Sequence, residues 1–240
     1  MERITILNNN IPEIGLSTRN TTQGEESQMV QEFIEFYCHK FLRDNKKSNL
    51  AVFVEPRISS GFPDVVFAPY LPSISDNWSE QRKKIDINDL KILSYLIQTS
   101  GVNGERLLSQ LKMPEKQTLI SLEKLLDANL IIYKNKVWKP KELRSIFSIK
   151  KLVSIEAKMG DVSRVIEQSF VNTWFASHSY ALTSATRPQS DTMKAFSKRG
   201  LGLYCRGGSF QKVVEAMPLS LPSSYQSLQF NEWIGNRISM

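Results

Sequence analysis

The stretch Leu152-Val153-Ser154-Ile155-Glu156-Ala157-Lys158 alternates apolar and polar residues with a period of two. That period predicts a strand whose successive side chains point to opposite faces. Val153, Ile155 and Ala157 then share one face, and Ser154, Glu156 and Lys158 the other. A carboxylate and an ammonium are thus presented side by side from an otherwise apolar strand, either as a site or as a surface salt bridge on an edge strand. A second strand carries a charge at its mouth, in Pro63-Asp64-Val65-Val66-Phe67. Proline fits there because the first residue of a strand can lack its N–H.

The other elements frame these two. The first twenty residues show no period and read as an arm or loop. Thr22-Gln23-Gly24-Glu25 has the layout of a helix capping box, and Met29, Val30, Phe33, Ile34, Tyr37 and Phe41 recur at three and four, predicting a helix over 24–43. Residues 50–55 read as a strand and 69–79 as a loop. After Lys158 come a helix over 162–177, with Val162, Val165, Ile166, Phe170, Thr173 and Trp174 on one face, a strand over 180–183, and a helix over 191–199 stopped by Gly200. A hairpin follows around Gly207-Gly208, and the last twenty residues read as an irregular tail.

Between 85 and 140 the character changes. Leu90, Leu93, Leu96 and Ile97 mark one helix and residues 105–111 a second. Pro114 opens a third, carrying Leu119, Leu122, Leu125 and Leu126. Lys134-Asn135-Lys136 then reads as the turn of a tight hairpin. Three helices and a hairpin resemble a winged helix, a variant of helix-turn-helix. The expected organisation is an α/β core over 1–84 and 141–240 with an inserted winged helix over 85–140.

Two hard carboxylates, completed by water or phosphate oxygens, suit Mg²⁺. A lysine beside them supplies fixed positive charge where a phosphoryl group gains negative charge. Pro63-Asp64 and Glu156-Ala157-Lys158, in this order of elements, resemble the motif of the PD-(D/E)xK nuclease superfamily. The resemblance covers most of the chain outside the insertion. It implies a restriction-endonuclease-like α/β core, a mixed central sheet flanked by helices, and an endonuclease that hydrolyses DNA phosphodiesters with Mg²⁺, or Mn²⁺ in its place. It also implies a role in restriction or defence. Some members add an acidic residue on the first helix, and Glu26 is the candidate for catalysis and metal binding, because its spacing to Met29, Val30 and Phe33 turns it toward the core. Glu55 is its rival. Several members carry a functional glutamine where Gln168 stands, with Arg164 on the same helix edge. Asn172 replaces the tyrosine that one branch has four residues later, so that branch is not implied.

For double-stranded DNA the expected contacts are Lys116, Gln117, Ser121 and Lys124 on the third inserted helix, Lys134 and Lys136 at the hairpin tip, and Arg164. Cutting both strands calls for two active sites, which a homodimer would provide. The alternative reading is a catalytically inactive DNA-binding or regulatory protein, or a subunit of a larger nuclease complex.

Charge agrees with a polyanionic partner. The chain carries a net +7, and from Lys134 to Lys212 fifteen Lys and Arg stand against five Asp and Glu, a local +10 that leaves the remainder at −3. Two distant cysteines, Cys38 and Cys205, no secretory leader and no long apolar run predict a reducing, cytoplasmic setting without a membrane. His39 and His178 lack partners at metal-ligand spacing. Ser163 and Ser209 lack a nucleophile elbow, and Gly207-Gly208 is not followed by the Lys-Ser/Thr of a phosphate loop.

Overall fold

A computed structural model describes residues 3–19 and 23–240. The elements in chain order are β1 (Ile4–Leu7), α1 (Glu25–Asp44), β2 (Asn49–Val54), β3 (Val65–Tyr70), α2 (Ile87–Thr99), α3 (Gly104–Leu111), α4 (Glu115–Asp127), β4 (Ile131–Lys134) and β5 (Val137–Pro140). They continue with α5 (Leu143–Ile146), β6 (Val153–Lys158), α6 (Val162–Asn172), β7 (His178–Thr183), α7 (Ser190–Lys198), β8 (Gly202–Arg206), β9 (Phe210–Val214) and α8 (Tyr225–Ile238). Two compact units result: Met1–Leu71 with Ile149–Ser223, and Pro72–Ser148 with Ser224–Met240. The second unit therefore begins before residue 85, ends after 140 and takes in the C-terminal segment, unlike the division expected from sequence.

In the first unit, seven strands among the described residues form one mixed sheet in the order β1-β2-β3-β6-β7-β8-β9. β6 runs parallel to β7, and β7 to β8, whereas β3 is antiparallel to both β2 and β6. One sheet face buries Met29, Val30, Phe33, Ile34 and Phe41 of α1 against Val52, Phe67, Val153, Ile155, Ala157 and Leu182. Tyr37 stacks on Phe67 there, with ring centroids 3.9 Å apart. Val165, Ile166 and Phe196 of α6 and α7 pack with Ala181, Leu203 and Cys205 in a second cluster.

Four expectations change in this unit. β1, in the stretch read as an arm, pairs parallel with β2. Pro69 lies inside β3 rather than in a loop, and its carbonyl accepts the Lys150 N–H at 2.8 Å. Thr22 of the supposed capping box lies outside the described residues, and Gly24 at the N-cap gives α1 no side-chain cap. The inward face of α6 is Val165, Ile166, Ser169 and Asn172, while Phe170 and Trp174 are exposed. The rotation has a polar cause. Ser154 donates to Ser179 Oγ at 3.0 Å, and Ser179 to the Ser169 carbonyl at 2.6 Å, so hydroxyls join helix and strands where apolar packing was expected.

The second unit contains α2, α3, α4 and the β4–β5 hairpin, then α5 and α8. Asp86 caps α2 through a reciprocal box with Asp89, and the hairpin turn has Asn135 at φ 55 and Lys136 at φ 62. Positive φ at both central residues is the signature of a type I′ turn. Lys116, Lys134 and Lys136 are exposed and Gln117 is half-buried. Ser121, expected on the surface, is fully buried, and Leu119, expected in the core, is 56 % exposed. Lys124 is not a free cation, since its ammonium lies 2.8 Å from Asp86 and 3.2 Å from Asp89. Pulling Lys124 onto the capped end of α2 turns Thr118 and Ser121 inward and Leu119 out.

The segment read as an irregular tail is α8, which buries Leu228, Phe230, Trp233 and Ile234 along with Asn231, Glu232 and Asn236. Arg82 donates to both Glu232 oxygens, at 2.9 and 2.7 Å, and stacks on Trp78 at 3.9 Å. Gly235 is required because a Cβ there would come within 2.2 Å of the Trp78 ring. Glu232→Ala leaves a buried guanidinium without its counter-charge, so urea unfolding of this unit should show a loss of about 3–5 kcal/mol.

Candidate active site

The register across three strands gathers the charged residues. Val65 faces Ile155 across the β3–β6 ladder, which puts Asp64 opposite Glu156. Val54 faces Val65, which brings Glu55 beside Asp64, and the Glu55 N–H donates to the Asp64 carbonyl at 2.9 Å. Glu55 adopts φ 47 and ends β2, so the chain turns through Ile58 and Gly61 and returns to Asp64. Asp64 Oδ2 accepts the Ala157 N–H at 2.8 Å, which fixes the carboxylate on the β6 backbone next to Glu156.

Glu156 is buried, at 3 % exposure. Its Oε1 accepts from the Asn172 amide of α6 at 2.7 Å. Burial and the neighbouring Asp64 push the Glu156 carboxyl well above the ordinary carboxylate range, against the opposing pull of Asn172, Lys158 and Arg19. Burial also raises Asp64, held back by the Ala157 N–H and Lys158. Two carboxyls that repel each other in a desolvated site both favour the protonated form over the charged one.

Lys158 lies at the end of β6 and pairs with Glu26 Oε1 of α1 at 2.5 Å. Glu26 is thus brought to the lysine as its counter-ion and, through its charge, raises Asp64. Glu55 is tied to Arg19 Nε, whose Nη2 stands 3.8 Å from Asp64 Oδ1. Gln168 lies one helical turn before Asn172 and is half-buried, with its Oε1 buried and without a partner among the described residues. Arg164 is exposed, its N–H capped by Asp161. Lys158 also lines a cavity of about 350 Å³ with Thr183, Arg187 and Thr192.

Sequence reasoning missed two residues. Arg19 stands isolated among Asn and Thr and carried no signal. Asn172 was visible only as a departure from a family pattern, yet it is the side chain that holds Glu156.

The donor set fits a hard divalent cation: two facing carboxylates whose charge is otherwise held off by a proton. Among the described residues no three His, Cys, Asp or Glu side chains gather into a metal cage. Asp64 and Glu156 would therefore hold such an ion with water or substrate oxygens completing its shell.

No family model and no curated protein matches the chain. Among solved structures, protein VC1899 from Vibrio cholerae is 11 % identical, over 90 % of this chain and 74 % of that one, with a TM-score of 0.24. A likeness of that size carries no argument about fold or function. Among the described residues no helix is long and apolar enough to cross a membrane.

The raised carboxyls have a consequence for stability. In the absence of a cation the folded chain binds protons that the unfolded chain releases near its ordinary carboxylate pKa of about 4. Stability is then greatest below that value and falls as pH rises through the raised folded values. Glu156→Gln removes most of this penalty and keeps an oxygen for Asn172. In EDTA it should melt a few degrees above the parent at pH 8, at roughly 2–4 °C per kcal/mol for a chain of this size. Thermal melts at pH 5 should show the difference closing.

Proposed function

We propose that the chain is a metal-dependent DNA endonuclease of the PD-(D/E)xK type. The observation that carries this reading is the juxtaposition of Asp64 and Glu156 across the β3–β6 ladder, with Lys158 two residues on. When held by the two carboxylates, Mg²⁺ or Mn²⁺ would lower the pKa of a water and offset phosphate charge. The protein's own residues supply the rest. Asn172 holds Glu156 in one orientation, and the Ala157 N–H holds Asp64. Lys158, steadied by Glu26, places positive charge where the phosphoryl oxygens gain negative charge. Gln168, one helical turn before Asn172 on α6, is the residue that this reading would have orient the attacking water.

The helix–hairpin unit resembles a winged helix, and in this reading it grips the duplex. Support comes from exposed Lys116, Lys134 and Lys136 and from Tyr133, which is 54 % exposed and lies against Trp138 at 4.4 Å. Lys124 and Ser121 have no part in that grip, being held within the unit.

Incubating supercoiled plasmid with the full chain and Mg²⁺ or Mn²⁺ tests the proposal. Cutting should be seen with the parent, stop in EDTA, and fall by about 10²-fold or more in Asp64→Ala, Glu156→Ala and Lys158→Ala. In the same preparation, Lys134→Ala with Lys136→Ala should weaken duplex binding and flatten its salt dependence by about 0.9 in slope for each phosphate no longer neutralised. Cutting that survives Glu156→Ala would sink the assignment.

A further inference from the structure

β6 has a second end. Its six-residue run from Lys158 back to Val153 covers about 16 Å at a strand's usual rise, and there, on the sheet face covered by α1, lies a cavity of about 170 Å³. Its walls include Lys40 of α1, Lys151 just before β6, Tyr180 of β7, Tyr204 of β8 and Lys212 of β9. None of these takes part in the carboxylate site. Three lysines from three separate segments thus line one half-open cavity.

Among the described residues only one of the three lysines has a carboxylate within 4 Å. Glu215 pairs with Lys212 and also accepts the Tyr180 hydroxyl. Asp44, on the wall near Lys40, pairs with Arg43 at 2.8 Å. Among the described residues no carboxylate lies within 4 Å of Lys40 or Lys151, and the Tyr204 hydroxyl bonds to no side chain or carbonyl. Burial, with Lys212 and Lys40 nearby, holds the Lys151 ammonium below its ordinary value despite Glu215. His178 is pushed down to about 4 by burial and by Lys151 and Lys212, so it stays neutral there. Lys40 and Lys151 are half-buried without a paired carboxylate, which is costly, and a multiply charged anion between them and the exposed Lys212 reduces that cost.

We propose that this cavity binds a phosphate monoester, its dianionic phosphoryl group lying between Lys40, Lys151 and Lys212 with the Tyr204 hydroxyl donating to one oxygen. Lysines bind phosphate as point charges, and a dianion matches three of them better than the single charge of a phosphodiester. The monoester has two sources, a small phosphorylated molecule or the terminal phosphate of a nucleic-acid strand. The inference does not rest on the nuclease reading.

Calorimetric titration of the full chain in EDTA tests it, with inorganic phosphate, adenosine monophosphate, and a short oligonucleotide with or without a 5′-phosphate as probes. The parent should bind at least one phosphate probe saturably at one site per chain. Lys151→Met and Lys40→Met should each weaken that binding about tenfold or more, while Lys198→Met, at the exposed end of α7, leaves it unchanged. A preference for the 5′-phosphorylated strand over its 5′-hydroxyl twin and over the free nucleotide would assign the strand end as the source; equal or better binding of the free nucleotide would assign a small molecule. If Lys151→Met does not fold, as judged by circular dichroism, Lys40→Met and Lys212→Met decide. Absence of saturable binding to every probe, or binding that survives the lysine substitutions in folded protein, overturns the proposal.

Discussion

The Ala157 N–H to Asp64 carboxylate bond, at 2.8 Å, ties the end of β3 to the end of β6. The antiparallel register places Asp64 opposite Glu156, and that one backbone bond holds the aspartate close to the glutamate despite their mutual repulsion. The surroundings answer the strain this creates. Asn172 reaches down from α6 to Glu156, Arg19 spans Glu55 and Asp64, and Lys158 pairs with Glu26. Each contact brings a donor or a positive charge toward buried carboxylates, and each comes from a different segment. The sheet therefore concentrates negative charge at one end of β6, and the same strand begins among lysines at the other.

The legible part of this arrangement was the part with a period. Alternation along 152–158 gave the facing of Glu156 and Lys158, and the three–four spacing of Met29, Phe33 and Phe41 gave α1 almost to the residue. What escaped was set by tertiary contacts between polar groups. β1 is four residues long and followed by three asparagines, so it carries too little pattern to register. Apolar spacing predicts α6 with Phe170 and Trp174 inward, yet hydroxyl and amide contacts to Ser179 and Glu156 decide its rotation. α4 turned by the same kind of cause, because Lys124 is drawn to Asp86 and Asp89. Asn172 and Arg19 act only through neighbours distant in sequence, and nothing local marks them.

α8 shows the same limit on a larger scale. Phe230, Trp233 and Ile234 have helical spacing, but Gln226, Asn231, Glu232 and Asn236 are buried among them and blur the apolar stripe. The helix is held by specific bonds: Glu232 to Arg82, Asn236 to the Trp78 indole at 2.8 Å, and Asn231 to the Ser148 N–H at 2.8 Å. Its partners lie in 78–148, which is why the second unit is larger than the insertion that helical periodicity outlines.

The central proposal is that Asp64 and Glu156 share a proton and would exchange it for a divalent cation. Mn²⁺ titration by calorimetry at pH 7, repeated in two buffers of different ionisation enthalpy, tests this most directly. Binding should disappear in Asp64→Ala and in Glu156→Ala, and in the parent it should release about one proton per ion as the cation displaces it. Binding without proton release, or binding unaffected by either substitution, would contradict the claim.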